Sequence, residues 1–446
     1  MSRERRRALE ILRAVRRGAR ADESFRQHAA GLDPRQRHLV MELSYGTIRW
    51  RLQLDYQLSA LLKERPLRAL PPDVVLILEL GAYQLLHMNR IPTWSAVDES
   101  VTLARTALPG RVSAWAAGLI NAVLRALARA RAELTLAVPD PAHQAEHLAI
   151  VHSHPPWLVE RWLERFGAEA TTTLLTRNNQ PPPLHLQVNP RVVSPAELLE
   201  RFRAAGTEGV IHPLKPDAIV LGGGTSPVDL PGWDAGAFWV QDAGSQWVTD
   251  AAGPAPVGAT LLDACAAPGM KLCGLLAAAP GARALAVDLD PVRLARVREN
   301  LSRLGLAGAW TAAADARQLP TAARFPLVLA DVPCSGTGVL RRRVDARWRR
   351  TPSDLHRFAD FQRELLERLA PRVAPGGALV YATCSLEAEE NEDVVAGFLE
   401  AQPDFRVVPV EDRVPAALRE GPYLAARPWR GDWDGLFAAR LERMAA

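Results

Sequence analysis

Two cysteines and a carboxylate carry the first chemical signal in this chain. Cys334 lies in Asp331-Val332-Pro333-Cys334-Ser335-Gly336, and Cys384 lies in Leu379-Val380-Tyr381-Ala382-Thr383-Cys384-Ser385. Both stretches read as an apolar strand running into a turn of small residues. A free cysteine is ordinarily an inert core group. Two of them at the ends of strands that can be neighbours in one sheet, with Asp331 beside them, would face one cleft. Such a set suits methylation of C5 of a pyrimidine. C5 is a poor nucleophile until a thiolate adds at C6 and makes a covalent adduct with enamine character. C5 then attacks a sulfonium methyl, a base removes the C5 proton, and the thiol leaves. An acid at N3, or an acceptor for the exocyclic amine, stabilises the adduct. Asp331 fits that part if a dry pocket raises its pKa. The target base must leave its stack to be reached. An amino-group methylase would want a polar-Pro-Pro-aromatic turn where this chain has Asp-Val-Pro-Cys.

A methyl donor needs its own site, and Leu261 to Leu272 has the form of one. An apolar strand ends in a turn punctuated by Pro268 and Gly269, and an apolar helix, Leu272 to Ala279, follows. The turn brings bare backbone against a ligand, and the helix N-terminus aims unpaired N–H groups at negative charge. Neither Gly-x-Gly-x-x-Gly nor a phosphate loop ending Gly-Lys-Ser/Thr is present. A single Pro-Gly turn suits a cofactor without a pyrophosphate, such as S-adenosylmethionine, and is also compatible with an ordinary buried turn. Asp288 ends the next strand, about 20 residues on, where an acid takes a ribose hydroxyl in this topology. Asp290 already fits the competing role of helix cap. Asp315, after the third strand, is placed for the adenine amino group, although acids are common in turns and caps.

These residues must be held by a sheet. From Ala259 onward strands and helices alternate, the signature of an α/β, Rossmann-like, mostly parallel doubly wound fold. Strands are expected near 259–265, 283–288, 309–314, 326–331 and 377–383. Helices are expected near 270–279, 291–304, 354–373 and 387–400. Trp433 to Leu441 reads as a final antiparallel strand beside the last parallel one. Residues 1 to about 130 read as helix throughout, with Asp33-Pro34 and Pro71-Pro72-Asp73 as helix starts. Ala137 to Ala145 reads as a linker. Short strands and helices then suggest a small α+β subdomain, with Ser194 as a cap. The expected division is an all-α domain at 1–135, an α+β subdomain at 146–235 and a catalytic domain at 236–446.

Composition narrows the class. The 446 residues are 48% apolar and 23% charged, ordinary for a soluble globular protein. No apolar run approaches a membrane span, and the basic N-terminus has no apolar core behind it. A soluble, cytoplasmic monomer is expected. None of the four cysteines forms a Cys-x-x-Cys pair, so no metal site is expected. The net charge is +4, and of 54 basic residues only Lys63, Lys215 and Lys271 are lysine. Lys271 is therefore a position that wants a compact, flexible ammonium. Arg341, Arg342 and Arg343, then Arg347, Trp348, Arg349 and Arg350, follow Cys334 closely. A charge run is ordinarily a solvated face. Beside a reactive site the preferred reading is phosphate binding, with Trp348 stacking on a base or packing on the domain.

Several stretches resemble known modules. Glu42 to Thr47, Leu80 to Leu85 and Gly118 to Arg125 resemble the NusB-like RNA-binding domain. Asp263 to Lys271, Asp331 to Ser335 and Thr383-Cys384-Ser385, with Glu389-Glu390-Asn391 following, resemble the RsmB/Sun/Fmu family of rRNA 5-methylcytosine methyltransferases. The resemblance covers nearly the whole chain. It implies methylation of C5 of one cytidine of small-subunit (16S) rRNA, through a covalent cysteine–C6 adduct, at the expense of S-adenosylmethionine. It implies Cys384 as nucleophile and Cys334 as the thiol that assists product release. It places Cys265, Ala266, Ala267, Pro268, Gly269, Met270, Lys271, Asp288, Asp315 and Asp331 around the cofactor. DNA cytosine methylases instead use the Pro-Cys thiol, which would be Cys334. Met270 and Leu272 stand where the family usually has glycine and threonine, and Gln187 where it has arginine, which puts one family RNA contact in doubt. The same chemistry on tRNA or another rRNA site, or a non-catalytic assembly factor, remains as the competing expectation.

Overall fold

A computed structural model describes residues 2–62, 65–222, 225–410 and 412–445; Lys63 lies outside them. By its contacts the chain divides into two compact units. One runs through Gln180 and also takes Leu340–Arg349; the other is Pro181–Val339 with Arg350 onward. This division differs from the three parts expected from the pattern. The linker at 137–145 marks no unit boundary, and a ten-residue piece of the catalytic stretch belongs to the helical unit. Among the described residues no helix is long and apolar enough to cross a membrane.

The first unit is helical: α1 (Arg3–Arg16), α2 (Ala21–His28), α3 (Pro34–Arg49), α4 (Arg51–Leu61), α5 (Pro72–His87), α6 (Thr93–Ala107), α7 (Gly110–Ala132), α8 (Gln144–His152) and α9 (Pro156–Asn178). The short α14 (Ala346–Arg349) joins them. Asp33 starts α3 with a capping box closed by Gln36. Helix α5 is buried almost all round, as an apolar helix at the centre of a bundle must be. Gly167 breaks α9 with φ 79° and ψ 172°, a conformation that glycine adopts without a Cβ clash.

The second unit opens with an antiparallel sheet in the order β2-β3-β1-β4 (Gly209–His212, Lys215–Leu221, Leu184–Val188, Phe238–Val240). Helix α10 (Pro195–Ala204) is capped by Ser194, whose hydroxyl accepts the Glu197 N–H. Leu186, Val188, Phe202, Ile219 and Phe238 form this layer's core.

The large sheet has parallel strands in the order β9-β8-β5-β6-β7: Val373–Thr383, Phe325–Asp331, Thr260–Asp263, Arg283–Asp288 and Ala309–Ala313. β13 (Leu436–Arg443) lies antiparallel to β9, as the tail pattern predicts. Three short strands, β10 (Phe405–Val408), β11 (Arg419–Glu420) and β12 (Tyr423–Ala426), extend that edge. The sequence pattern does not announce them, because two to four residues are too few for a period.

Successive residues of the parallel strands feed opposite cores. Leu261, Leu327, Leu329 and Val380 lie in one; Leu262, Val328, Ala330 and Leu379 lie in the other. A strand buried on both faces must read as continuously apolar, which is what makes these segments visible in the sequence. Helices α11 (Ala243–Ala252), α12 (Met270–Ala278), α13 (Pro291–Arg303), α15 (Pro352–Leu369) and α16 (Glu392–Ala401) accompany this sheet. Strand order reverses at β5, so the crevice beyond the carboxyl ends of β5 and β8 is the switch point where ligands bind in such sheets.

Candidate active site

The turn after β5 is held open by side chains rather than filled by them. Gly269, at φ +98°, is the N-cap of α12, and no side chain caps that helix. The first N–H groups of α12 therefore keep the anion-seeking character of a bare helix terminus. From below, Asp288 accepts the Ala267 N–H with one oxygen (3.1 Å) and the Asp290 N–H with the other (3.0 Å). From α13, Arg293 donates to the Ala267 carbonyl (2.7 Å) and Asn300 to that of Pro268 (3.1 Å). A Cβ on Gly269 would meet Val297 at 3.1 Å, so the turn sits tight on α13. Asp290 caps α13, as its sequence position predicts.

The acids at the strand ends divide into distinct roles. Lys271 Nζ donates to Asp331 Oδ2 at 2.5 Å, joining the start of α12 to the end of β8. Asp331 is thus ion-paired and partly exposed rather than enclosed in a dry pocket, and its second oxygen is left as an acceptor. The carboxyl that burial does push up, to about 8, is Asp263 at the end of β5. Burial is the main cause, and the nearby Asp331 adds to it. Its Oδ1 is buried without a partner. Asp263 stands in the motif that carries the family resemblance, yet nothing in its local sequence marks it as the buried acid. Asp315, after β7, is bound by Arg317 (2.7 Å), which lowers its pKa, and Arg317 also reaches Glu364. Cys265 has its pKa raised by burial and the adjacent acids, and burial pushes Cys273 up to about 12. Neither has the environment of a reactive thiol.

Beyond β8 and β9 the two remaining thiols meet. Cys334 Sγ and Cys384 Sγ are 3.0 Å apart, and the Cys384 N–H donates to Cys334 Sγ at 3.3 Å. Cys334 is buried; Cys384 is partly exposed. The shared thiol hydrogen bond and burial hold the Cys334 pKa well above the usual thiol range. Two loops carry these sulfurs, residues 332–339 and 384–391, and they are laced together. Val332 N–H donates to the Ala382 carbonyl, Gly338 N–H to that of Cys384, and Leu386 N–H to Thr337 Oγ1. Behind them lies the fully buried Glu390, a residue whose part in the site the sequence reading did not see. A Cβ on Gly338 would collide with the Gly435 backbone, so only glycine fits there.

The arginine run does something other than expected. Arg347 is fully buried in the helical unit. Its guanidinium donates to the carbonyls of Arg49, Ser153, Asn178 and Leu340 and to Asn179 Oδ1. Trp348 donates its indole N–H to the Ile48 carbonyl (2.6 Å) and packs under Arg51. Arg341, also buried, donates to the Gln180 carbonyl. Arg341, Arg347 and Trp348 are therefore fasteners of this segment, not a phosphate surface. Of the seven residues Arg341 to Arg343 and Arg347 to Arg350, Arg343 alone is exposed, and Arg342, Trp348, Arg349 and Arg350 are half-buried. Gln187, the departure from the family arginine, is satisfied by Asp217 at 2.8 Å.

Together the doubly wound sheet, the bare Pro-Gly turn at its switch point, the acids ending β6 and β8 and Asp315 just after β7 define a Rossmann-like methyltransferase. Three family models match the chain: 16S rRNA methyltransferase RsmB/F over residues 255–442, the NusB family over 2–129, and the RsmF/B-like ferredoxin-like domain over 154–229. The ribosomal RNA small subunit methyltransferase B of Pseudomonas syringae pv. tomato is 38% identical over 423 residues, which are 92% of this chain and 90% of that one. The crystal structure of PH0851 superposes with a TM-score of 0.82 at 23% identity over 99% of both chains. A methyltransferase homologue from Pyrococcus horikoshii gives a TM-score of 0.59 at 24% identity, covering 69% of this chain and all of that one. The chain belongs to the RsmB/F family of rRNA methyltransferases.

Proposed function

We propose that this enzyme methylates C5 of a cytidine in small-subunit rRNA, with Cys384 as the nucleophile that adds to C6. The observation that carries the reading is the pair of facing thiols, 3.0 Å apart at the ends of β8 and β9, of which Cys384 is the accessible member. The small-subunit substrate rests on the family and on the curated relative's name.

The donor set fits S-adenosylmethionine: an uncapped helix terminus for its carboxylate, acids at the end of β6 and just after β7 for its ribose and adenine, and the orphaned Asp263 oxygen nearby. When bound, the cofactor supplies an electrophilic sulfonium methyl. The protein's own groups do the rest. Cys384 forms the C–S bond at C6 as thiolate, and the electrons of the C5=C6 bond pass to C5. Burial disfavours charge on Cys334, which favours that sulfur as the protonated neighbour of the attacking Cys384. Asp331, oriented by Lys271, accepts from the exocyclic amine and fixes the base. After methyl transfer a solvent water takes the C5 proton, the C5–H electrons restore C5=C6 as the C–S bond breaks, and Cys384 leaves as thiolate with the Cys334 thiol as its hydrogen-bond partner. The Cys384 N–H that points at Cys334 Sγ favours the opposite assignment, in which Cys334 attacks.

Trapping on 5-fluorocytidine-substituted small-subunit rRNA with cofactor separates the two. Fluorine at C5 cannot leave as a proton, so the adduct persists on a denaturing gel. A band in wild type and in Cys334→Ala, absent from Cys384→Ala, is expected. The reverse pattern would move the nucleophile to Cys334. No band from wild type that still binds cofactor would remove support for the C5 reading.

A further inference from the structure

Glu390 is fully buried, yet among the described residues none of its hydrogen-bond partners is charged. Its Oε1 accepts the Ser335 N–H at 2.7 Å and the Gln362 amide at 3.1 Å. Its Oε2 accepts the Ser385 hydroxyl at 2.6 Å. Burial raises its pKa and these donors oppose that. A buried carboxylate without a cation is expensive and is a poor device for stability alone.

Its partners explain where it sits. Ser335 directly follows Cys334, and Ser385 directly follows Cys384. The two serine hydroxyls also meet each other at 3.1 Å. Gln362, from α15, donates as well to the Pro333 carbonyl (2.9 Å) and receives the Tyr381 hydroxyl (3.0 Å). The Ser385 hydroxyl accepts the Glu387 N–H, and Asn391 donates to the Ser385 carbonyl. One carboxylate thus reaches the residue after each cysteine.

We propose that Glu390 is a positioning residue that sets the spacing and alignment of the Cys334 and Cys384 thiols by clamping Ser335 and Ser385 to one carboxyl group. It touches neither sulfur and acts through the two serines. The clamp itself is a claim about geometry; its catalytic consequence rests on the cysteine-adduct reading above.

The clamp predicts how each substitution behaves. In Glu390→Gln the amide oxygen still accepts from Ser335 and Gln362. The amide nitrogen donates to Ser385 Oγ, which turns its own proton toward Ser335 Oγ, so the link survives. In Glu390→Ala both links are lost. Ser385→Ala removes the carboxylate's link to the Cys384 side, together with the hydroxyl contacts to Ser335 and the Glu387 N–H, and keeps its link to the Ser335 N–H.

Two readouts on the full-length enzyme test this. The first uses no RNA: the rate at which oxidised glutathione closes a Cys334–Cys384 disulfide, followed by mass spectrometry of the linked peptide. One thiolate displaces glutathione to form a mixed disulfide, and the second displaces the other glutathione, so the rate reports how often the sulfurs meet. The second is the single-turnover rate of 5-fluorocytidine trapping, alongside the affinities for cofactor and RNA. Glu390→Ala is expected to slow closure about tenfold and trapping about a hundredfold, the scale of a lost positioning contact. Both affinities should stay within about threefold. Glu390→Gln should restore both rates to within about fivefold, and Ser385→Ala should lose about tenfold in each. Closure at the wild-type rate in Glu390→Ala, or in Ser385→Ala should Glu390→Ala fail to fold, overturns the clamp. A wild type that closes as expected but never traps RNA leaves the clamp standing and overturns the cysteine-adduct reading instead.

Discussion

Replacing Arg347 by methionine tests whether the arginine run after Cys334 serves structure or RNA. Its guanidinium makes five hydrogen bonds within the helical unit, of which those to Ser153 O, Asn178 O and Asn179 Oδ1 are 3.1 Å or shorter. Methionine matches much of the volume but leaves these acceptors buried without donors. Each costs roughly 1–3 kcal/mol, and the relief of no longer burying a cation beside Arg49 offsets part of it. A net loss of about 3–5 kcal/mol is expected, the range for removing one partner of a buried charged network. Urea unfolding followed by circular dichroism measures it. RNA binding gives the complementary reading, below the temperature and denaturant at which the variant unfolds. A phosphate contact would lower the slope of log K against log salt by roughly 0.7–0.9. A buried arginine should leave the slope unchanged within roughly 0.2 on that same scale. A variant as stable as wild type with a slope reduced by about one phosphate contact would refute the structural role and restore the phosphate reading.

Two further outcomes follow from the charged groups of the site. Asp263 is pushed up to about 8 in the folded chain and titrates near 3.9 when unfolded. Between those values the folded state holds a proton the unfolded state has lost, so its contribution to stability is present below about pH 4 and fades as pH rises toward 8. Asp263→Asn should therefore gain on wild type by up to ~1.4 kcal/mol per pH unit between pH 5 and 8; urea unfolding curves that keep a constant gap across that window would contradict the assignment. Lys271→Met removes the 2.5 Å link to Asp331 and leaves that carboxylate without its cation, near the buried Asp263. It should weaken S-adenosylmethionine binding about tenfold or more by calorimetry, since a charge-assisted hydrogen bond is worth about 1.5–3 kcal/mol; unchanged affinity would show that Lys271 serves only the fold.

How much of this was legible in the chain depends on the range over which each feature is specified. The parallel strands are legible because burial on both faces makes them continuously apolar. The caps at Asp33, Ser194 and Asp290 are legible because a cap needs only its own residue and the next turn. The Pro268-Gly269 turn and the order of Asp331, Cys334 and Cys384 along a doubly wound pattern point to the chemistry without coordinates, because the fold class already places strand ends at the ligand crevice.

Tertiary structure decided what those residues do. Arg347 looks like its charged neighbours in the sequence. It is a buried fastener only because the chain folds backbone carbonyls from positions 49, 153 and 178 around it, and a carbonyl leaves no trace in residue type. Asp263 and Glu390 sit in the motifs that betray the family, but their burial comes from strands and loops tens of residues away. The chain by itself determined which segments become strand, helix and turn, and which side chains are able to react. Only long-range packing determined which charges are paired, which are buried, and that two thiols fifty residues apart stand 3.0 Å from each other.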